Sequence, residues 1–256
     1  MIHSTLPRPA RRTRARRASR ILLALSATAV LIGVDLPDDA TGPPLGVTAW
    51  ARPGATADRV GALFAGGQGR GHHCTAAVVH SEEGDVIATA AHCLESPHTT
   101  VFAPGYRDGK APYGFWKVTG TYIAPGWTDG QDPDDDVAFA TVAPVDGGRT
   151  GSVEDVVGGF PVAAEQPDHA KVTIIGYPRT LDAPVRCANT TDLLSATQRR
   201  IGCPDLTGGT SGSPWLVNGA LAGVLGGYEG GGSVPEISYS AVLGDRAVEL
   251  YRQARS

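Results

Sequence analysis

A chain of 256 residues can form one large all-β domain or two small lobes, and a 41% hydrophobic content is enough to fill a core. Its basic residues are 19 Arg and three Lys, and seven of the Arg fall within the first twenty residues, ahead of any acid. From residue 52 onward, 15 basic and 23 acidic residues leave a net charge of about −8, which repels phosphate and argues against a nucleic-acid partner.

Taken in order, the chain opens on a basic region from Arg8 to Arg20. An apolar stretch from Ile21 to Val34 follows, too short for a comfortable membrane span. Together they read as an export signal, which implies a secreted protein with no membrane attachment other than an uncleaved signal anchor. No apolar pair follows Arg16-Arg17, so a twin-arginine route is not assigned. Ala49-Trp50-Ala51 fits a small-x-small cleavage site, and Ala40 is another. Residues 35–57 are rich in Pro, Gly and Asp. Residues 1–51 are therefore expected to be signal and spacer, and 52–57 a short linker or pro-segment.

From Arg59 the texture changes. Val60–Phe64, Cys74–Val79 and Val86–Ala90 are short apolar runs broken by Gly, Pro and Asp at roughly ten-residue spacing, the pattern of antiparallel β structure. Tyr113, Phe115 and Val118 read as strand, as do Tyr122 and Ile123. Val137–Val142 reads as a buried strand entered through three acids, of which Asp134 and Asp135 are expected to face solvent. Residues 143–166 read as a crossing between lobes. Lys171–Gly176, Trp215–Val217 and Leu221–Leu225 are further strands, the last two joined by Asn218-Gly219, a strong hairpin signal. Leu243, Ala247, Leu250, Tyr251 and Ala254 fall at helical spacing and predict a closing amphipathic helix. Four cysteines in an exported chain make two disulfides by three arithmetical pairings. The hairpin between Cys74 and Cys93 favours joining those two, which leaves Cys187 with Cys203. His72, His73 and Cys74 lack a second cluster at ligand spacing, so no metal and no cofactor are expected.

The chemistry converges on Thr207–Pro214, where Ser211 stands in a run almost free of side-chain bulk. Glycines allow Gly209 and Ser211 to turn their N–H groups the same way, beside the Ser211 hydroxyl, supplying a nucleophile and an oxyanion hole. Upstream, Ile87–Cys93 delivers His92 at the end of an apolar strand, and Asp136 leads into Val137–Val142. The order is His, Asp, Ser. An α/β-hydrolase needs a histidine after the serine, and none lies beyond His169; the subtilisin order needs an acid before the histidine, with local motifs that are not visible.

Thr89–Cys93, Asp136–Ala138 and Gly209–Pro214 match T-A-A-H-C, D-[IV]-A and G-x-S-G-[GS]-P, and the chain so resembles the chymotrypsin- and trypsin-like serine proteases. The resemblance implies an all-β fold of two six-stranded antiparallel β-barrels with a C-terminal helix. Residues 58–150 would carry His92 and Asp136, and 151–256 would carry Ser211. It implies a monomeric secreted endopeptidase acting on proteins or peptides through a His92-Asp136-Ser211 triad and an acyl-enzyme. An esterase or amidase of the same fold, or a non-catalytic binding module on the scaffold, are the alternatives. An ungapped comparison with the family puts Asp205 at the pocket floor, where an acid would select Arg or Lys; the competing reading is a loop aspartate beside Cys203. Gly226, Gly227 and Tyr228 would pair with substrate backbone. Tyr228 stands where the family usually has glycine. Thr207-Gly208-Gly209 looks more like the bacterial glutamyl-endopeptidase branch, yet the histidine of its G-I-H-x-G-G pattern is Leu225 here. Thr210 replaces the aspartate that pairs with a new N-terminus in the animal enzymes, so activity without that salt bridge is expected.

Overall fold

Residues 44–66, 71–145, 150–163 and 167–256 are described by the computed structural model; the export-signal reading lies outside them. The apolar runs form β1 (Ala49–Trp50), β2 (Val60–Phe64), β3 (His72–Val78), β4 (Val86–Thr89), β5 (Val101–Pro104), β6 (Trp116–Ile123), β7 (Ala138–Pro144), β8 (Lys171–Gly176), β9 (Val185–Leu193), β10 (Gln198–Gly202), β11 (Pro214–Val217), β12 (Ala220–Val224) and β13 (Ile237–Ala241). Helices are short, α1 (Ala55–Asp58), α2 (Pro125–Gly130), α3 (Val153–Val157), except for the closing α4 (Asp245–Ala254). No helix among the described residues is long and apolar enough to cross a membrane.

The first lobe is a closed antiparallel barrel in the order β2-β3-β4-β7-β6-β5. The second lobe is a curled sheet in the order β12-β11-β8-β9-β10-β13. Its two ends meet where Gly226 N–H, just past β12, donates to Tyr239 O in β13 at 3.0 Å. β2 and β4 are buried along their whole length, whereas β6 alternates buried Trp116 and Val118 with exposed Lys117 and Thr119. Side chains alternate between faces, so Leu63, Cys74, Ala76, Val78 and Ile87 fill the first barrel. Val60, Ala62, Phe64, Ala77 and Ala88 point outward into a seam shared with Tyr177, Leu216, Leu221 and Val224 of the second lobe. The second lobe has its own interior around Ile174, Ile201, Trp215 and Leu225. At the C-terminus, α4 returns to the first lobe, where Tyr251 OH donates to His80 O at 2.6 Å and its ring lies 5.4 Å from that of Phe139.

Several sequence expectations are corrected. Tyr113 and Phe115 precede the strand, which begins at Trp116. β5 and β13 are not expected from the sequence as strands, and the crossing contains α3, held by a reciprocal Ser152–Asp155 capping box. Residues 44–51 are not a spacer. Ala49 and Trp50 pair with Arg186 and Val185 of β9, Gly46 N–H donates to Gly202 O at 2.8 Å, and Arg107 reaches the Ala51 carbonyl at 2.7 Å. This strap lies across the Cys187–Cys203 disulfide.

Both disulfides join the expected partners, at sequence separations of 19 and 16. By chain-entropy arithmetic each contributes about 3 kcal/mol. At the seam, His72 is buried among Phe64, Tyr106 and Tyr177, with ring centroids 5.9–6.2 Å away. Its Nε2–H donates to Leu181 O at 3.0 Å, and Nδ1 has no partner among the described residues. Burial lowers its pKa below the ordinary 6.5, outweighing the Leu181 bond.

Two outcomes follow. A Cβ on Gly46 would lie 2.7 Å from Cys187 Sγ, so Gly46→Ala overpacks the strap at about 1–3 kcal/mol. Calorimetry should show a thermal midpoint lowered by roughly 2–10 °C. Since the unfolded state binds the His72 proton more readily, the stability gained from a neutral His72 is present above pH 6.5 and is lost as pH falls below it. His72→Phe should flatten the dependence of the thermal midpoint on pH in that window.

Candidate active site

The strand β4 ends on small residues, and the chain turns at once into a 3-10 turn, Ala91–Leu94, that carries His92. The disulfide from Cys93 to Cys74 pins this turn to β3. Both sulfurs are thereby spent, so the grouping of Cys74, His92 and Cys93 offers no thiolate to a metal. Asp136 follows a second 3-10 turn, Pro133–Asp135, which Asp132 caps by accepting from Asp134 N–H at 3.0 Å. Its side chain is fully buried and the His92 side chain is 24% exposed.

Three N–H groups converge on that carboxylate. Oδ1 accepts from His92 N–H at 3.0 Å; Oδ2 accepts from His92 Nδ1–H and from Gly227 N–H, each at 2.8 Å. A carboxylate oxygen accepts, so the proton of the neutral ring sits on Nδ1 and Nε2 carries the lone pair. The Trp127 ring lies 6.2 Å from the imidazole.

Ser211 lies in the loop before β11. Thr75, the residue after Cys74, donates its N–H to Ser211 O at 2.7 Å. A Cβ on Gly212 would lie 3.0 Å from Ala90 N, so the serine loop abuts the strand end that carries His92. No hydrogen bond joins Ser211 to His92 among the described residues. Such bonds are commonly long in a free enzyme and tighten with substrate. Gly209 adopts φ 103° against Arg179 N and Tyr177 O, where a side chain would collide at 2.5–2.7 Å. Gly208 O accepts from Arg179 N–H at 2.7 Å, and Thr210 O accepts from Ser213 N–H at 2.9 Å. Neither Gly209 N–H nor Ser211 N–H donates to another group among the described residues.

The other expected site residues separate. Gly226 lies against Asp136, where a Cβ would come 2.8 Å from Oδ2. Gly227 N–H serves Asp136, and Tyr228 N–H donates to Gln198 Oε1 at 3.1 Å, opening a 3-10 turn, Tyr228–Gly231. All three amides are thus engaged within the protein, while the Gly226 carbonyl accepts no backbone bond among the described residues. Asp205 is exposed at φ 63° and lines a recess of about 460 Å³ with Thr48, Trp50 and Leu181. Asp135 does not face solvent as expected, and Asp134 is half-buried. Asp134 accepts from Gln198 Nε2 at 2.7 Å, and Asp135 is buried and paired with Arg246 of α4 at 2.6 Å. Sequence reasoning missed Thr75, Trp127, Gln198 and the Gly227 amide. Of these only Trp127 carried a signal, an aromatic in a Gly- and Pro-rich stretch.

The closed barrel, the curled second sheet and the carboxylate–imidazole pair between them define the chymotrypsin-like class. A family model described as Trypsin matches residues 51–240, and the chain belongs to that family of serine-type endopeptidases. Three solved structures are similar. Protease Anisep from Arthrobacter nicotinovorans is 25% identical with TM-score 0.69, covering 82% of this chain and 99% of that one. The thermostable serine protease AL20 from an extremophilic microorganism is 28% identical with TM-score 0.67, covering 79% and 99%. A Glu endopeptidase in complex with MPD shares the fold at 16% identity and TM-score 0.66, covering 81% and 96%. No curated protein matches the chain.

Asp136→Asn keeps the shape but presents an amide to Nδ1, favouring the wrong tautomer. Steady-state kinetics on a peptide amide should show kcat down by about 10⁴, with KM little changed.

Proposed function

We propose that the protein is a secreted serine endopeptidase, monomeric in action, that hydrolyses peptide bonds through His92, Asp136 and Ser211. The observation that carries this reading is the fully buried Asp136 carboxylate holding His92 by both its amide and its ring. Ser211 Oγ attacks the scissile carbonyl carbon as His92 Nε2 takes its proton. The oxyanion is held by the free N–H groups of Gly209 and Ser211. The tetrahedral intermediate collapses as the imidazolium returns that proton to the leaving amine, leaving an acyl-enzyme. Water, deprotonated by the same nitrogen, then releases the acid. Asp136 fixes the ring and stabilises its cationic form.

Substrate backbone is taken by the Gly226 carbonyl, with Gly227 and Tyr228 forming the rim. Selection of Arg or Lys by Asp205 is not supported, since that carboxylate is exposed on the recess facing the strap. Leu225, 4% exposed in the second lobe's apolar core, gives a glutamate side chain no imidazole to meet. Thr210 is buried and its hydroxyl donates to Thr207 O at 2.8 Å, so the loop is ordered without an ion pair to a new N-terminus. The two disulfides suit an oxidising compartment and, with the export signal, support secretion.

A fluorophosphonate probe should label the secreted protein and leave Ser211→Ala unlabelled. The unmodified enzyme should cleave a peptide library while Ser211→Ala does not. Labelling that persists in Ser211→Ala would overturn the assignment.

A further inference from the structure

An oxyanion hole depends on the direction of two N–H groups, and a trans peptide points its N–H opposite to its C=O. Whatever grips the carbonyls of the serine loop therefore aims its amides. Four successive carbonyls are gripped. Gly208 O accepts from Arg179 N–H at 2.7 Å, Thr210 O from Ser213 N–H at 2.9 Å, and Ser211 O from Thr75 N–H at 2.7 Å. Gly209 O accepts from the Thr75 hydroxyl at 3.0 Å. Thr75 thus supplies two of the four grips, from the other lobe.

Its hydroxyl does more than hold Gly209. The same Oγ1 accepts from Tyr177 N–H at 2.9 Å, two residues before the Arg179 amide that grips Gly208. One buried hydroxyl, its residue 0% exposed, therefore joins the 177–179 turn, whose Arg179 amide grips Gly208 O, to the next peptide, Gly209–Thr210. The Gly208–Gly209 peptide that carries Gly209 N–H lies between two glycines, so no side chain resists its rotation. Thr75 is itself fixed, since its carbonyl accepts from the buried Thr89 hydroxyl at 2.8 Å. We infer that the Thr75 hydroxyl is a positioning residue that holds the oxyanion hole in its donating geometry before substrate arrives. It touches no reacting atom. It acts through the Tyr177–Arg179 turn that it anchors, which grips Gly208 O and so keeps Gly209 N–H aimed, and its energy is expressed where charge develops on the carbonyl oxygen. The inference rests on the assignment of Ser211 as nucleophile.

The test uses the full secreted enzyme with Thr75→Val, which removes the hydroxyl at nearly constant shape, and Thr75→Ser, which keeps it. Both are measured for turnover of a peptide amide, for inhibition by a peptidyl trifluoromethyl ketone whose adduct carries an oxyanion, and for binding of the amine-side product peptide, which has no acyl oxygen to place in the hole. Thr75→Val should lower kcat roughly 10- to 100-fold, less than the roughly 100- to 1000-fold typical of deleting a donor outright. It should weaken the ketone by a similar factor and leave product binding and KM within about threefold. Thr75→Ser should recover most of both losses. If Thr75→Val is not secreted, Thr75→Ala reads the same contrast. Unchanged kcat in the variant lacking the hydroxyl would overturn the inference. So would a loss of kcat with undiminished ketone affinity, or one that Thr75→Ser fails to recover. These results, with the parent enzyme still labelled by fluorophosphonate at Ser211, reject the role of Thr75 alone. An unlabelled parent enzyme rejects the nucleophile and this inference with it.

Discussion

The buried carboxylate of Asp136 is the constraint on which the arrangement depends. Removing a carboxylate from water costs several kcal/mol even after the surroundings relax. Here three N–H donors offset that cost, and bonds to an ionised acceptor are roughly twice as strong as neutral ones. Two come from His92 in the first lobe and one from Gly227 in the second. The acid is therefore satisfied only when both lobes are docked. Docking is secured elsewhere, by the apolar seam that joins Val60, Phe64 and Ala77 to Tyr177, Leu216 and Val224. The terminal helix adds Arg246 on Asp135, next to Asp136 in the chain.

Strand periodicity explains how one strand serves both halves of the site. Neighbouring residues of β3 point to opposite faces. Cys74 turns into the first barrel, where its disulfide holds the turn bearing His92. Thr75 turns the other way and holds the serine loop by its amide and hydroxyl. His92 and Ser211, 119 positions apart in number, are thus referred to two adjacent residues. A one-residue slip of β3 would exchange those roles, so strand register and site geometry are the same constraint.

Much of this was legible in the amino-acid order. Val60–Phe64 was read with its observed limits, Asn218-Gly219 forms its turn with both residues at positive φ, and both cysteine pairs were inferred from one hairpin. Those signals are local. What escaped depends on long-range partners. β13 alternates, Ile-Ser-Tyr-Ser-Ala, but buries its two serines rather than Ile237 and Tyr239, and it is held as a strand by the edge that β10 offers. Ala49 and Trp50 sit in a Pro- and Gly-rich stretch that resembles a linker until β9 pairs with it. Asp134 and Asp135 looked like solvated loop acids, yet Asp134 is half-buried against Gln198 and Asp135 is buried against Arg246, 64 and 111 residues away. The same holds within the site. Spacing singled out His92, Asp136 and Ser211, whereas Thr75 resembled any other small strand residue.

The way the serine loop is ordered bears on regulation. A loop held by a buried ion pair to a freed N-terminus can be switched, because removing one charge leaves the other unpaired at a cost of about 3–5 kcal/mol. Here neutral bonds do the holding. Thr210 Oγ1 donates to Thr207 O, Ser213 Oγ donates to Thr210 O at 2.6 Å, and Thr75 binds Gly209 and Ser211. Each is worth only about 1 kcal/mol net, and no single one is a switch. Their sum is available as soon as β3 and β11 are in register, and none of these groups titrates near neutral pH. Such a loop is ordered by folding itself rather than by a later cut. The conformation of the Thr207–Ser213 loop therefore has no ion pair at Thr210 through which an N-terminal cut would act.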